Sequence, residues 1–201
     1  ARAVAAGLLD LGLDAKTPIL ILSGNSVAHG VLTLAAQYVG IPIVPIAEQY
    51  ALIPGAADQI DHVVNVTRPG AVFAEDGALL RAVLERDSLA PLHKLVRLNP
   101  PVRAHRLDDL AKRGGDIAPV AATIGPDTVA KILMTSGSTS APKGVPTTHR
   151  MMCVNQAQIA HALPFLTTRP PRILDWLPWN HVFGGSHNFN MMLAHGGALY
   201  I

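Results

Sequence analysis

One cysteine in 201 residues, Cys153, leaves no partner for an internal disulfide and fits a reducing compartment, the cytosol. It follows Met151 and Met152 at an apolar helical position and reads as a buried structural thiol, not a nucleophile. Aromatic residues are scarce at 4% and charged ones at 15%, against 49% hydrophobic residues, which is too apolar for a disordered chain. A formal net charge of +2 with scattered basic residues gives no footprint for nucleic acid. Long apolar runs are also missing. The longest, Leu32 to Ala47, is interrupted by Gln37, Gly40, Pro42 and Pro45 and is too short to span a bilayer, so a soluble protein with no membrane partner is expected. No basic region or cleavage site accompanies the amphipathic pattern Ala1 to Leu11. There is no initiator methionine, and Gly197 to Ile201 stop inside a strand pattern, so the sequence reads as a fragment.

The order of elements predicts an α/β fold of parallel βα units. Pro18 to Leu22 is a continuous apolar run of the kind buried on both faces of a sheet. A helix follows from about Val27 to Tyr38, with Asn25 or Ser26 as its N-cap and Gly40 as its stop. Ile41 to Ile46 reads as a second strand, its prolines placing it near an edge or limiting its ladder. His62 to Val66 and Ala71 to Ala74 read as further strands, then a helix from about Gly77 to Arg86, a strand at Lys94 to Leu98 and a helix near Arg106 to Arg113. The Pro/Gly-rich stretch Gly114 to Asp127 is read as a connection. It divides a βαβ lobe, residues 1–125, from a second part, residues 126–201. That part opens with a strand at Asp127 to Met134 and continues with a helix from Thr148 to about Leu163 and a strand at Arg172 to Leu177.

What the chain does concentrate is hydroxyls and backbone freedom in one stretch, Met134-Thr135-Ser136-Gly137-Ser138-Thr139-Ser140-Ala141-Pro142-Lys143-Gly144. Glycines let backbone N–H groups turn toward an anion, hydroxyls add donors, and Lys143 adds a point charge. Pro142 restricts the residue before it and keeps Lys143 out of a regular helix, which predicts a lysine on a loop, free to move over a bound polyphosphate. A Walker A loop fails on spacing, because no glycine directly precedes the lysine. Ser140-Ala141-Pro142-Lys143 has S-x-x-K spacing, but Pro142 spoils the helical turn that a serine acylase needs, and neither S-D-N nor K-T-G occurs. A polar surface loop is the bland alternative.

The order T-S-G-S-T-x-x-P-K-G resembles the phosphate loop of the adenylate-forming superfamily: acyl-CoA and aryl-CoA synthetases, luciferases and peptide-synthetase adenylation domains. Ser140 stands where that pattern has glycine. A second stretch, Leu177-Pro178-Trp179-Asn180-His181-Val182-Phe183-Gly184, resembles the same superfamily's L-P-x-x-H-x-x-G segment, and its wording together with Leu174-Asp175-Trp176 is most similar to the feruloyl-CoA synthetase branch. The resemblance implies the large N-terminal domain of such an enzyme, built of two sheet-based lobes, with the C-terminal domain absent from these residues. It implies an ATP-dependent acid–thiol ligase: a carboxylate, aromatic and hydroxycinnamoyl-like, attacks the α-phosphate to give an acyl adenylate, and coenzyme A then displaces AMP. Thr135, Ser136, Gly137, Ser138, Thr139, Ser140, Lys143 and Gly144 would hold the nucleotide, with Mg²⁺ travelling on it. His181 and Lys143 would serve the chemistry, and Trp179, His181, Phe183, Gly184 and Gly185 would border the acid. The isolated fragment is expected to bind ATP weakly at best and to lack turnover.

The cluster His181, His187, His195 has spacings that scatter the rings around a helix, with no acidic residue or cysteine beside them, which argues against a metal site. Trp176, Trp179 and Phe189 read either as an aromatic pocket or as packing. A non-catalytic βα binding or scaffolding domain keeping a degenerate phosphate loop stands as the alternative function, favoured by Ser140. Oligomeric state is not legible.

Overall fold

The computed structural model describes residues 1–53, 55–135 and 142–201. Seven strands form one sheet in the order β5-β4-β3-β1-β2-β6-β7. These are β1 (Ile19–Leu22), β2 (Ile43–Pro45), β3 (Ala71–Asp76), β4 (His93–Leu98), β5 (His105–Arg106), β6 (Val129–Thr135) and β7 (Lys143–Thr148). All pairings are parallel except that of β6 with β7. A short parallel pair, β8 (Arg172–Leu174) and β9 (Ala198–Tyr200), lies apart from it.

Successive side chains of a strand point to opposite faces, so the apolar run of β1 divides between two cores. Ile19 and Ile21 join Phe73 and Leu95 under α1 (Arg2–Asp10) and α2 (Val27–Tyr38), which contribute Val4, Leu8, Leu32 and Ala35. Leu20 and Leu22 join Val44, Val72 and Val96 on the other face, under α3 (Gln49–Leu52), α4 (Asp58–Thr67) and α5 (Arg81–Leu84). Two short helices, α6 (Leu107–Leu110) and α7 (Ala118–Ala121), lead into β6; α8 (His149–Ala162) and α9 (Phe189–His195) follow β7. Among the described residues no helix is long and apolar enough to cross a membrane.

Several local expectations give way to longer-range packing. The β-branched run at His62 to Val66 is helical, lying within α4. Its apolar side chains fall three to four apart, burying Ile60, Val63 and Thr67 on one face, while Asp58 and Asp61 favour the positive end of the helix dipole. Strand β2 is not at an edge; it lies between β1 and β6, and its ladder to β6 is reduced to the pair Ile43 and Lys131. The helices read at Gly77 to Arg86 and Arg106 to Arg113 shrink to the single turns α5 and α6, the connection 114–127 contains α7, and the strand at Arg172 ends at Leu174. Cys153 is exposed. The buried stripe of α8 is Met152, Gln156 and Ile159, spaced four and three apart, which turns residue 153 outward.

The caps behave as the residue types dictate. The Ser26 side chain accepts the His29 N–H at 3.0 Å, and the Thr148 hydroxyl accepts the Met151 N–H at 3.3 Å. Thr148→Ala is expected to cost about 1 kcal/mol, which thermal unfolding registers as a midpoint fall of roughly 2–4 °C.

Candidate functional site

The parallel strands deliver their C-terminal ends to a common edge of the sheet, where residues 23–26 follow β1, residues 46–48 follow β2 and β6 ends at Thr135. From β1 the chain passes to β2 on one side, and β3 then returns to the other side of β1, so the order reverses around β1. Open α/β sheets bind ligands in the crevice that such a reversal opens.

Thr135 and Lys143 face each other at this edge as the last pair of the β6–β7 ladder. The Thr135 hydroxyl donates to the Lys143 carbonyl at 3.3 Å, and both residues are exposed. The expectation that Lys143 stands on a loop is therefore corrected, since its backbone is the first residue of β7. Pro142 is the physical cause in part: its fixed φ suits extended chain, and the ladder takes over one residue later. The Lys143 side chain itself is exposed. Gly144 pairs with Met134 one step further in. Ser136, Gly137, Ser138, Thr139 and Ser140 lie outside the described residues. His62, on α4, secures the near end of the hairpin, its Nε2 lying 2.7 Å from the Pro142 carbonyl oxygen.

The segment after β8 crosses the same edge. The Asn25 amide donates to the Leu177 carbonyl at 2.8 Å, and its carbonyl accepts the Trp179 N–H at 2.9 Å, pinning the turn after β1 to the turn before His181. The His181 N–H donates to the Pro178 carbonyl at 3.1 Å, and the His181 carbonyl accepts the Gly185 N–H at 2.9 Å, leaving the exposed imidazole at the mouth of a π-helical turn, Phe183–Asn188. The glycines are sterically required there. A Cβ on Gly185 would stand 2.0 Å from the Trp179 carbonyl oxygen, and one on Gly184 2.6 Å from that of Pro178.

Trp179 is buried, with its ring 5.1 Å from His29 and 4.7 Å from Phe189, whereas Trp176 is exposed. Phe183 is exposed and stacks on His187 at 4.7 Å. A cavity of about 290 Å³ at this edge is lined by Ser23, Asn25, Glu48, Asp175, Trp179 and Asn180, among others. Burial pushes the His29 imidazole down to about 4, against the hydrogen bond to the Gly24 carbonyl, which raises it. Burial likewise lowers the Lys131 ammonium to about 8. Among the described residues no three His, Cys, Asp or Glu side chains converge on a point that could hold a metal.

The edge thus gathers a cation-bearing hairpin, a histidine-bearing turn and a polar crevice. The chain matches the family of AMP-binding enzymes over residues 1–201. It belongs to the AMP-binding enzyme family. It is 29% identical over 187 residues to the long-chain-fatty-acid–CoA ligase FadD15 of Mycobacterium bovis, an alignment covering 90% of this chain and 30% of that protein. Among solved structures, ATP-bound MatB from Rhodopseudomonas palustris superposes with a TM-score of 0.76 at 24% identity, covering 100% of this chain and 38% of the other. The o-succinylbenzoate CoA synthetase of Bacillus subtilis, in complex with its acyl-adenylate intermediate, superposes with a TM-score of 0.74 at 18% identity, over 99% of this chain and 46% of the other. The chain therefore spans between 30% and 46% of the length of these family members, and its α/β architecture is that of their N-terminal domain.

Three side chains make long-range hydrogen bonds that the sequence does not announce: Asn25, His62 and Lys131. In the sequence Asn25 shows only as a candidate N-cap in the turn after β1. Lys131 did carry a signal, a lone cation inside the apolar run Val129 to Leu133.

Proposed function

We propose that this chain supplies the nucleotide- and acid-binding part of an ATP-dependent acid–thiol ligase of the cytosol, which activates an aromatic, hydroxycinnamoyl-like acid as an acyl adenylate and passes the acyl group to coenzyme A. The observation that carries the reading is that the Thr135–Lys143 pair closes the C-terminal end of β6, while the turn before His181 is pinned to the C-terminal end of β1, in a member of the AMP-binding family. Residues 126–201 hold the reactants, and the βα lobe, residues 1–125, supplies the crevice floor.

In this mechanism the acid's carboxylate oxygen attacks the α-phosphorus of ATP, the bond to the bridging oxygen breaks, and pyrophosphate leaves. Lys143, Thr135, Gly144 and the stretch 136–140 hold the β- and γ-phosphates and stabilise the charge gathering on the leaving group. Mg²⁺ accompanying the nucleotide would supply further neutralisation of the phosphate charge that Lys143 and Thr135 meet. His181 borders the carboxylate and the adenylate as a donor. Phe183, Trp179, Gly184 and Gly185 form the acyl wall, and their aromatic content supports an aromatic acid. The coenzyme A thiol then attacks the acyl carbon, releasing AMP.

The test is acid-dependent pyrophosphate release by the full-length protein with a panel of aromatic and aliphatic acids. Hydroxycinnamic acids are expected to exceed long-chain fatty acids by about tenfold or more in kcat/KM, a factor that a shaped apolar pocket readily supplies. A preference for fatty acids removes the aromatic assignment. No release with any acid favours a binding or scaffolding role, to which the serine at position 140 already leans.

A further inference from the structure

Lys131 is 2% exposed and sits mid-strand in β6 between the two halves of the site. Its ammonium donates to the Gly185 carbonyl at 2.8 Å and lies 3.4 Å from the Ser186 hydroxyl. Among the described residues no salt bridge reaches it. Burying a cation without a counter-charge is costly, and a methionine of similar length would fill the space without that cost. The amino group therefore earns its place through what it holds. Gly185 belongs to the π-helical turn, a rare geometry found mostly as single turns at functional sites. Its N–H is already bonded to the His181 carbonyl, so Lys131 and His181 grip opposite ends of the same residue. From α8 the Gln156 amide takes the next carbonyl, that of Ser186, at 3.3 Å. Four residues beyond Lys131, β6 ends at Thr135.

We propose that Lys131 is a positioning residue that fastens the His181 turn to the strand leading into the hydroxyl-rich stretch, so that acid and nucleotide are held at a fixed separation. The assignment of acid and nucleotide rests on the function proposed above; the fastening does not. A link between two reactant-holding elements acts on the reaction and not on either ligand alone. Misplacement by about 1 Å can lower a rate by about a hundredfold while leaving ground-state binding nearly intact.

Lys131→Met and Lys131→Gln are made in the full-length protein, the second keeping a polar side chain should the first fail to fold. In each, acid-dependent pyrophosphate release is expected to fall about 10- to 100-fold in kcat. The affinity for a non-hydrolysable ATP analogue should change less than about threefold, and the thermal midpoint should stay or rise. Hydrogen exchange supplies a readout independent of turnover. Amides of 183–188 should exchange faster in the variants while those of β1 stay protected. Unchanged kcat with unchanged exchange at 183–188 overturns the proposal. So does a loss of activity that merely follows a falling midpoint and lost analogue binding, which would make Lys131 a general structural residue. A wild-type protein without acid-dependent release defeats the function proposed above, and the exchange comparison then still decides the fastening.

Discussion

Lys143→Met in the full-length protein is expected to lower acid-dependent pyrophosphate release by about 10²- to 10³-fold, the usual cost of removing one group aimed at developing charge. The effect should appear in kcat and in the KM for ATP, with the acid's KM little changed. The geometry makes this a clean substitution. The Lys143 side chain is exposed, its backbone carbonyl keeps the Thr135 hydroxyl bond whatever the side chain, and β7 pairs through main-chain groups. Thermal unfolding should therefore hardly move, surface changes of this kind staying within about 0.5 kcal/mol. Lys143→Arg, which keeps the charge but alters its shape, should recover part of the rate. A Lys143→Met protein within threefold of wild type would show that the hairpin does not touch the phosphates.

The second large effect concerns acid stability. His29 is 2% exposed, and burial, opposed by the Gly24 carbonyl, brings its imidazole to about 4 from an ordinary 6.5, with Lys131 lowering it further and Glu75 raising it. The folded state thus keeps a neutral ring where the unfolded chain already binds a proton. Stability is fully present above pH 6.5, falls as the pH drops toward 4, and changes no further below that on this account. The shift corresponds to about 3 kcal/mol. Burial holds His105 and His149 below their usual range as well, and both contribute in the same direction. The informative measurement is therefore the difference between wild type and His29→Gln in urea unfolding free energy at pH 7, 5.5 and 4.5. The variant should lose most of the acid slope. Parallel slopes for the two proteins would contradict the assignment.

The sheet's central strand, the Ser26 cap, the start of a helix at Thr148 and the strand into the hydroxyl-rich stretch were all legible, because each rests on local chemistry: an unbroken apolar run, or a hydroxyl at the head of a helical pattern. The α4 helix was not, because His62 to Val66 carries β-branched residues whose strand preference yields to a buried stripe supplied by the sheet. Cys153 was misplaced for a related reason, since α8 is only half covered and Met152 takes the inward position. In the proposed site, the residues assigned to ligands are assigned by their order along the chain, whereas the residues that hold the site's turns in place carry no such order. Asn25 and His62 act on residues far along the sequence, and no local pattern announces such partners.

The Asn25 clamp has a bearing on how the protein comes to be folded. It joins positions 152 and 154 residues apart, so on the ribosome the turn after β1 is complete long before Leu177 and Trp179 have been synthesised. Closing so long a loop is entropically late work, and the polar crevice must stay unroofed through most of translation. A nascent chain stalled short of residue 177 would therefore carry a finished sheet and an unfinished site.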